Sequence, residues 1–344
     1  MGEEHAMTTT RLNTAESIGE RRKFLLGAGL AFALAALTPG SLAAQDFPNK
    51  PVRLLVGFAA GGPSDLLARI VAQKLSDHWK QPVVVENRVG AAGTVAAAVV
   101  ARAAPDGYTL AFAGSTTFIG YELLNPSKVP YKTLEAFEPV CLVADQTMVM
   151  STRTDLGVKT VQEFVAMAKS KPGAMNFGMS GFGSPPHLNM ELFKQGAGID
   201  LLTVPFAGSA PSAQALLSGT IDAMMDGPQG SINIAKDGKT RIIAVADDKR
   251  LAELPDVPTF KELGYDAQVK SWYALLAPKG TPRAVIDKID ADARQVLGDE
   301  AVLEMITRSG FKRNLLDSKD FGTMLREQTA KVAALIKSAN IKAE

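Results

Sequence analysis

Few residues in this chain have the types and spacing that reactive chemistry needs. His187 stands near Ser180 and Ser184, the raw material of a Ser–His hydrolase. The nucleophile elbow Gly-x-Ser-x-Gly is absent, because Gly178-Met179-Ser180-Gly181-Phe182 brings the second glycine one place early. His187 is expected just inside a helix N-terminus, where the dipole lowers its pKa and favours a hydrogen-bonding or structural role. Asp65 and Asp226 could form a carboxylate pair, with capping or solvated roles as the commoner alternative. Met224 and Met225 read as core. Metal chemistry has little to draw on. Cys141 is the single cysteine, and His5, His78 and His187 are the only histidines. Neither a cysteine zinc site nor a histidine metal centre is expected, and no cofactor is called for.

What the sequence does repeat is a device for holding anions. Residues 52–56 are an apolar run that reads as a buried strand, and residues 63–69 have apolar positions at helical spacing. Gly57, Gly61 and Gly62 lie between them, Pro63 suits a first helical turn, and Asp65 complements the helix dipole. A strand feeding a helix through glycines leaves backbone N–H groups pointing outward, which is a small anion trap. The alternative is an ordinary tight turn. The loop lacks the Gly-Lys-Ser/Thr of a P-loop and the three spaced glycines of a dinucleotide fingerprint. Without Lys or Arg it would neutralise a triphosphate poorly, so a carboxylate is the better match. Similar Ser/Gly loops follow strands at Gly114, Ser115, Thr116 and Thr117, at Gly181 to His187, and at Ala207, Gly208 and Ser209. Ligands of open α/β sheets bind beyond the carboxyl ends of the strands. Two such loops from each of two domains would face one another across a cleft.

The elements that position these loops follow the order strand, loop, helix, repeated, which reads as α/β with largely parallel sheets. Thr160 with Glu163, and Thr259 with Glu262, have capping-box spacing. Thr281-Pro282 is expected to cap a long amphipathic helix. An Ala/Val-rich helix after Gly93 is expected to pack closely on its sheet. About 300 residues beyond the leader suggest two domains.

The first 43 residues read as an export signal. Arg21-Arg22-Lys23 precedes an apolar stretch from Leu25 to Leu37, broken by Pro39-Gly40 and followed by small residues. Paired arginines resemble a twin-arginine signal, and the stretch is short for a membrane span. The mature chain would begin near Ala44 or Gln45. The leader carries four positive and four negative side chains, so the formal net charge stays at +1. Near-neutral charge argues against a nucleic-acid partner.

Several motifs in order carry a family resemblance. They are Phe58 with Gly61, Gly62, Ser64 and Asp65; Glu86-Asn87-Arg88 with Gly90 and Gly93; Pro105-Asp106-Gly107-Tyr108; Gly181 to His187; Leu217-Ser218-Gly219; Leu254-Pro255-Asp256-Val257-Pro258-Thr259; and Ala277-Pro278-Lys279-Gly280. Together they resemble the Bug family, the extracytoplasmic solute receptors of tripartite tricarboxylate transporters. The resemblance implies a two-lobed periplasmic-binding-protein fold, each lobe a mostly parallel sheet flanked by helices, that captures a small carboxylate through backbone groups and ordered water. It implies a monomer that presents its ligand to membrane subunits in the periplasm. Residues 46–146 with 270–344 would form one lobe and 147–269 the other. One jaw would hold Phe58, Gly61, Gly62, Ser64 and Asp65. The other would hold Ser180, Gly181, Ser184 and His187, with Ser115, Thr116, Ala207, Gly208 and Asp226 as wall residues. Ala60 replaces a common proline, and the segment after Asn125-Pro126 is shortened, which could reshape the pocket wall. The competing readings are a periplasmic Ser/His hydrolase and a receptor that signals to a sensor kinase.

Overall fold

The computed structural model describes residues 47–206 and 208–342. The expected export signal, residues 1–43, and Ala207 lie outside the described residues. Two mixed sheets carry the fold. The first contains β1 (Val52–Val56), β2 (Val83–Asn87), β3 (Thr109–Gly114), β4 (Phe137–Gln146), β10 (Ser271–Pro278) and β11 (Lys312–Leu316), in the order β11-β4-β10-β3-β1-β2. The second contains β5 (Met148–Arg153), β6 (Asn176–Met179), β7 (Leu202–Pro205), β8 (Ala223–Asp226) and β9 (Thr240–Ala246), in the order β7-β6-β8-β5-β9.

The expected strand–loop–helix units supply the parallel half of each sheet. β1 pairs parallel with β2 and β3, and β6 pairs parallel with β7 and β8. The antiparallel pairs arise where the chain changes sheets. It leaves the first through β4 into β5 with only Thr147 between them, and returns through residues 247–270 into β10. β10 therefore re-enters between β3 and β4 running against both. In the second sheet β5 likewise runs against β8 and β9.

Helices cover both sheets: α1 (Pro63–Trp79), α2 (Thr94–Ala101), α3 (Val161–Ser170), α4 (Pro185–Ala197), α5 (Ser209–Leu217), α6 (Pro228–Ala235), α7 (Arg283–Leu297), α8 (Glu300–Arg308) and α9 (Ser318–Ser338). The Ala-rich α2 packs as closely as its composition suggests. Ala96, Ala97 and Val100 are buried, and a Cβ on Gly57 would meet the Gly93 Cα at 2.2 Å. The first core is built on Phe118, Phe137, Trp272 and Phe321, and the second on Phe164, Phe177, Phe193 and Phe260. Leu188 of α4 joins the first core although its neighbours Met190 and Phe193 join the second. Met224 and Met225 are both core, on opposite faces of β8. The Thr160–Glu163 capping box forms at α3, and the Thr259–Glu262 pair makes the same reciprocal bonds but over a turn rather than a helix. Thr281 does not cap α7, because its hydroxyl donates back to the Pro278 carbonyl and Pro282 takes the N-cap position. Among the described residues no helix is long and apolar enough to cross a membrane.

Candidate functional site

β1 and β3 are parallel, so loop 57–62 and the π-helical turn Thr116–Gly120, which stands where a Ser/Gly loop was expected, leave the same edge of the first sheet. β6, β7 and β8 are parallel, so loop 180–184 and the starts of α5 and α6 leave one edge of the second. These edges meet. A Cβ on Gly120 would lie 1.8 Å from the Gly183 carbonyl oxygen, and a Cβ on Gly183 would clash with the backbone of Gly120 and Tyr121. Only glycines let these two loops touch backbone to backbone. Beside the contact is a cavity of about 10 Å³ lined by Ser115, Gly120, Gly183, Pro185, Leu188 and Val269. That is room for about one water. The Ser115 hydroxyl is buried without a partner among the described residues. Thr116 is half-buried beside it.

In the first jaw, Gly62 is the N-cap of α1 and no side chain caps that helix. Pro63 has no N–H, Leu66 N–H bonds to the Gly62 carbonyl, and among the described residues the N–H groups of Ser64 and Asp65 have no partner. Gly61 holds φ at 82°, a left-handed conformation that glycine adopts without strain. Asp65 is 2% exposed, and its carboxylate points back into the loop. It accepts from Gly61 N–H (2.9 Å), from Asn87 Nδ2 (2.9 Å) and from Arg69 Nε and Nη2 (2.8 and 3.0 Å). Burial pushes its pKa up, but Arg69, then the Gly61 N–H and Asn87, outweigh burial and hold it below the usual carboxylate range. Asn87 also donates to the Phe58 carbonyl, and the Phe58 ring leans towards Gly93. Asp65 is thus the brace of the loop, with its oxygens engaged from inside.

The second jaw has the same sequence plan but different bonding. Ser184 is the N-cap of α4 and accepts from the His187 N–H at 3.5 Å. The next two positions are Pro185 and Pro186, which lack N–H groups. The start of α4 therefore offers no free donor among the described residues, while Ser180, Gly181 and Phe182 ahead of it keep theirs. The Ser184 hydroxyl donates to the Gly181 carbonyl at 2.7 Å, and the His187 Nδ1 accepts from the Gly183 N–H at 3.1 Å. Nδ1 is therefore unprotonated. The His187 pKa falls to about 4, as expected in direction, but the cause is burial first and the Lys194 charge second rather than the helix dipole. No bond joins the Ser184 hydroxyl to the imidazole, so the nucleophile–base pair of a hydrolase is not formed here. Ser180 is half-buried, and its hydroxyl has no partner among the described residues.

The remaining donors come from α5 and α6. Gly208 and Gly227 are their N-caps, neither with a capping side chain. Asp226 ends β8 beside them and accepts from the Ser209 hydroxyl at 2.6 Å. Burial raises the Asp226 pKa, opposed by Ser209 and the Gly227 N–H. Tyr273 lies near this group and donates to Gln146 Oε1 at 3.2 Å. Asn87, Arg69, Tyr273 and Gln146 are the site residues that sequence reasoning missed, while Ser209 was placed in its loop without a role. Asn87 and Arg69 carried a faint signal, lying at the end of β2 and one helical turn past Asp65.

Most of the chain matches a family model. Residues 67–341 match the tripartite tricarboxylate transporter family receptor. Protein BugT of Bordetella pertussis is 34% identical over 270 residues, covering 78% of this chain and 83% of BugT. An R. palustris protein solved with adipate superposes with a TM-score of 0.80 at 30% identity, covering 86% of this chain and 99% of that one. MatC from Rhodopseudomonas palustris, solved with bound malate, has a TM-score of 0.75 at 31% identity, over 84% of this chain and 100% of MatC. A two-sheet architecture, loops opposed across a shared edge and similarity along most of the chain agree: the chain belongs to the tripartite tricarboxylate transporter receptor family.

Proposed function

We propose that this protein is a periplasmic receptor that captures a small carboxylate between its two sheets and delivers it to the membrane subunits of a tripartite transporter. The observation that carries this reading is where the helix caps are missing. α1, α5 and α6 start at the opposed loop edges, and each begins at a glycine with its first N–H groups uncapped. α3 and α9 are reached from the opposite ends of their sheets and are capped by their own side chains, Thr160 and Asp317, whereas α7, also at that end, starts at Pro282 without a side-chain cap. Uncapped N–H groups cost stability unless water or a ligand satisfies them, and the macrodipole there favours an anion. Charge-assisted hydrogen bonds contribute about 1.5–3 kcal/mol each, so a few suffice for the roughly −8 kcal/mol of micromolar binding. The dicarboxylates in the two R. palustris structures support the ligand class.

The lobes of this reading are residues 46–146 with 270–344 and residues 147–269, joined by the two crossings, and closure about these crossings traps the ligand. Phe58, Gly61, Gly62 and Ser64 line one jaw. Gly181, Gly208 and Asp226 line the other, with Asp65, Ser184 and His187 holding the loops in shape. The protein acts as a monomer and performs no catalytic step. Titration calorimetry with C3–C6 carboxylates tests the proposal. Micromolar binding that disappears in Gly62→Asp supports it. No binding by any carboxylate, or turnover of an activated ester that is lost in Ser184→Ala, would overturn it.

A further inference from the structure

Two crossings join the sheets, and hydrogen bonds locate the point on each where one sheet's hold ends and the other's begins. On the first crossing β4 stays in its ladder to Gln146, opposite Ser271, and β5 enters the other ladder at Met148, opposite Ala246. Thr147 alone lies between them. On the second crossing the chain is held at Val269 by α4, whose Met190 and Phe193 lie in the second core. Asn189 of that helix is fully buried, accepts from the Val269 N–H at 2.6 Å and donates to the Val269 carbonyl at 3.1 Å. One residue later α9 takes over, with its Phe321 and Leu325 in the first core. Gln328 Nε2 donates to the Lys270 carbonyl at 3.4 Å, and its Oε1 accepts from Trp272 Nε1. The torsions left between the two held carbonyls are the φ and ψ of Lys270. Its side chain is exposed between the buried Val269 and Ser271, so these torsions can turn without unpacking it. Because Ser271 pairs antiparallel with Gln146, the register brings Lys270 opposite Thr147. Asp247, just past β9, holds both crossings on the side of the second sheet. Its carboxylate takes the Thr147 hydroxyl at 2.8 Å, and its carbonyl takes the Gln268 amide at 3.4 Å. The Gly120–Gly183 contact belongs to the same place, since Val269 and Gln328 line the small cavity beside it.

We propose that Thr147 and Lys270 are the paired hinge residues between the two sheets, and that the backbone contact of Gly120 on Gly183 is the bearing beside them on which α4 turns. This rests on the receptor reading above and says where its motion is made. A hinge absorbs torsion changes at a few positions while the elements on either side stay rigid. The grips of Asn189 and Gln328 leave one residue to do so. The contact beside the hinge moves little, which lets bare backbone stay in touch there. The starts of α1 and α5 follow β1 and β7, which stand three strands from β4 and from β5, about 14 Å at the usual strand spacing. A turn of about 15° displaces them by about 4 Å.

The experiment measures the separation of the sheets by double electron–electron resonance on the purified protein. Spin labels go on Val84→Cys and Leu202→Cys, exposed positions on the edge strands β2 and β7, while Cys141 is buried. Glycine widens the torsions open to a hinge position. Without ligand, Lys270→Gly should therefore broaden the distance distribution by roughly half, and Thr147→Gly should do the same. Lys270→Ala loses the same side chain and Asp266→Gly lies earlier on the same crossing, so both should leave the width unchanged. Melting temperatures show that each variant is folded. A parental width in Lys270→Gly, or equal broadening in Asp266→Gly, would overturn the assignment. Malate and adipate added to the parent separate this inference from the receptor reading. If either shortens the distance and Lys270→Gly changes nothing, the hinge assignment fails while the receptor reading stands. If neither shortens it and Lys270→Gly still broadens it, the hinge stands and the receptor reading is the one that fails.

Discussion

The starts of α1 and α4 share one sequence plan, strand, glycines, Ser and Pro, then helix, yet they do opposite things with their hydrogen bonds. At α1 the cap is Gly62 and two N–H groups are left free. At α4 the cap is Ser184, two prolines remove the next N–H groups, and the one after them is satisfied. The polar side chains follow suit. Asp65 braces its loop while leaving the N–H groups of Ser64 and Asp65 unoccupied, whereas Ser184 and His187 bond inward to Gly181 and Gly183. The lesson is that a donor-rich loop edge faces a stiff one. In the proposed receptor the first would supply charge complementarity, and the second presents a fixed surface to the backbone of Gly120.

The largest effect should come from making α1 resemble a capped helix. Gly62 has φ −79° and ψ 170°, an extended conformation that suits an Asp N-cap. Gly62→Asp should satisfy the free N–H groups internally and put a carboxylate where the ligand's belongs. Calorimetry should show carboxylate affinity falling by about 100-fold or more, while stability changes by only a few tenths of a kcal/mol. Retained binding would break the contrast between the jaws.

Next comes pH. Burial holds the folded pKa of His187 at about 4, below the ordinary 6.5 of an exposed imidazole. The unfolded chain therefore binds the proton more readily, and the stability this group contributes is fully present above pH 6.5 and lost as pH falls towards 4. The loss should total about 3 kcal/mol, since each pH unit separating the folded and unfolded pKa values corresponds to about 1.4 kcal/mol. Urea denaturation across that range should show it, and His187→Gln should flatten the profile. An equally steep profile in the variant would mean that the stiffness of the second jaw does not depend on the neutral imidazole.

Gly120→Ala comes third. Its Cβ cannot coexist with the Gly183 carbonyl, so the jaws must part or the loops distort, at about 1–3 kcal/mol. Small-angle scattering of the variant with ligand should show a more open particle than the parent with ligand. The smallest effect is Ser184→Ala, which removes a cap and should cost about 1 kcal/mol in thermal denaturation while changing ligand affinity only a few-fold.

Much of this was legible in the residues. The apolar run of β1, the glycine breaks and the Thr160 capping box are local patterns and placed their elements, whereas the Thr259 box opened only a turn and the expected loop after β3 is helical. The loops around Gly61, Gly181 and Gly208 were found because glycine and proline punctuation is local too. The mixed sense of the sheets was not legible, because strand direction is set by where β10 re-enters. Thr281 was misread as a cap because its hydroxyl has a second acceptor, the Pro278 carbonyl, that is visible only once the turn is built. Asp65 carried a correct signal for the helix start, but its bonds to Asn87 and Arg69 depend on β2 lying beside β1.

The sequence by itself determined the α/β class, the recurrent strand–glycine–helix unit and the family, since periodicity, turn chemistry and motif order all act over a few residues. Only the tertiary structure decided which N–H groups stay free, that Gly120 touches Gly183, and that Tyr273 reaches across 127 positions of sequence to Gln146 beside Asp226. The physical reason is that a hydrogen-bonding group's partner depends on strand order and register, and that order is set by the packing of two whole sheets.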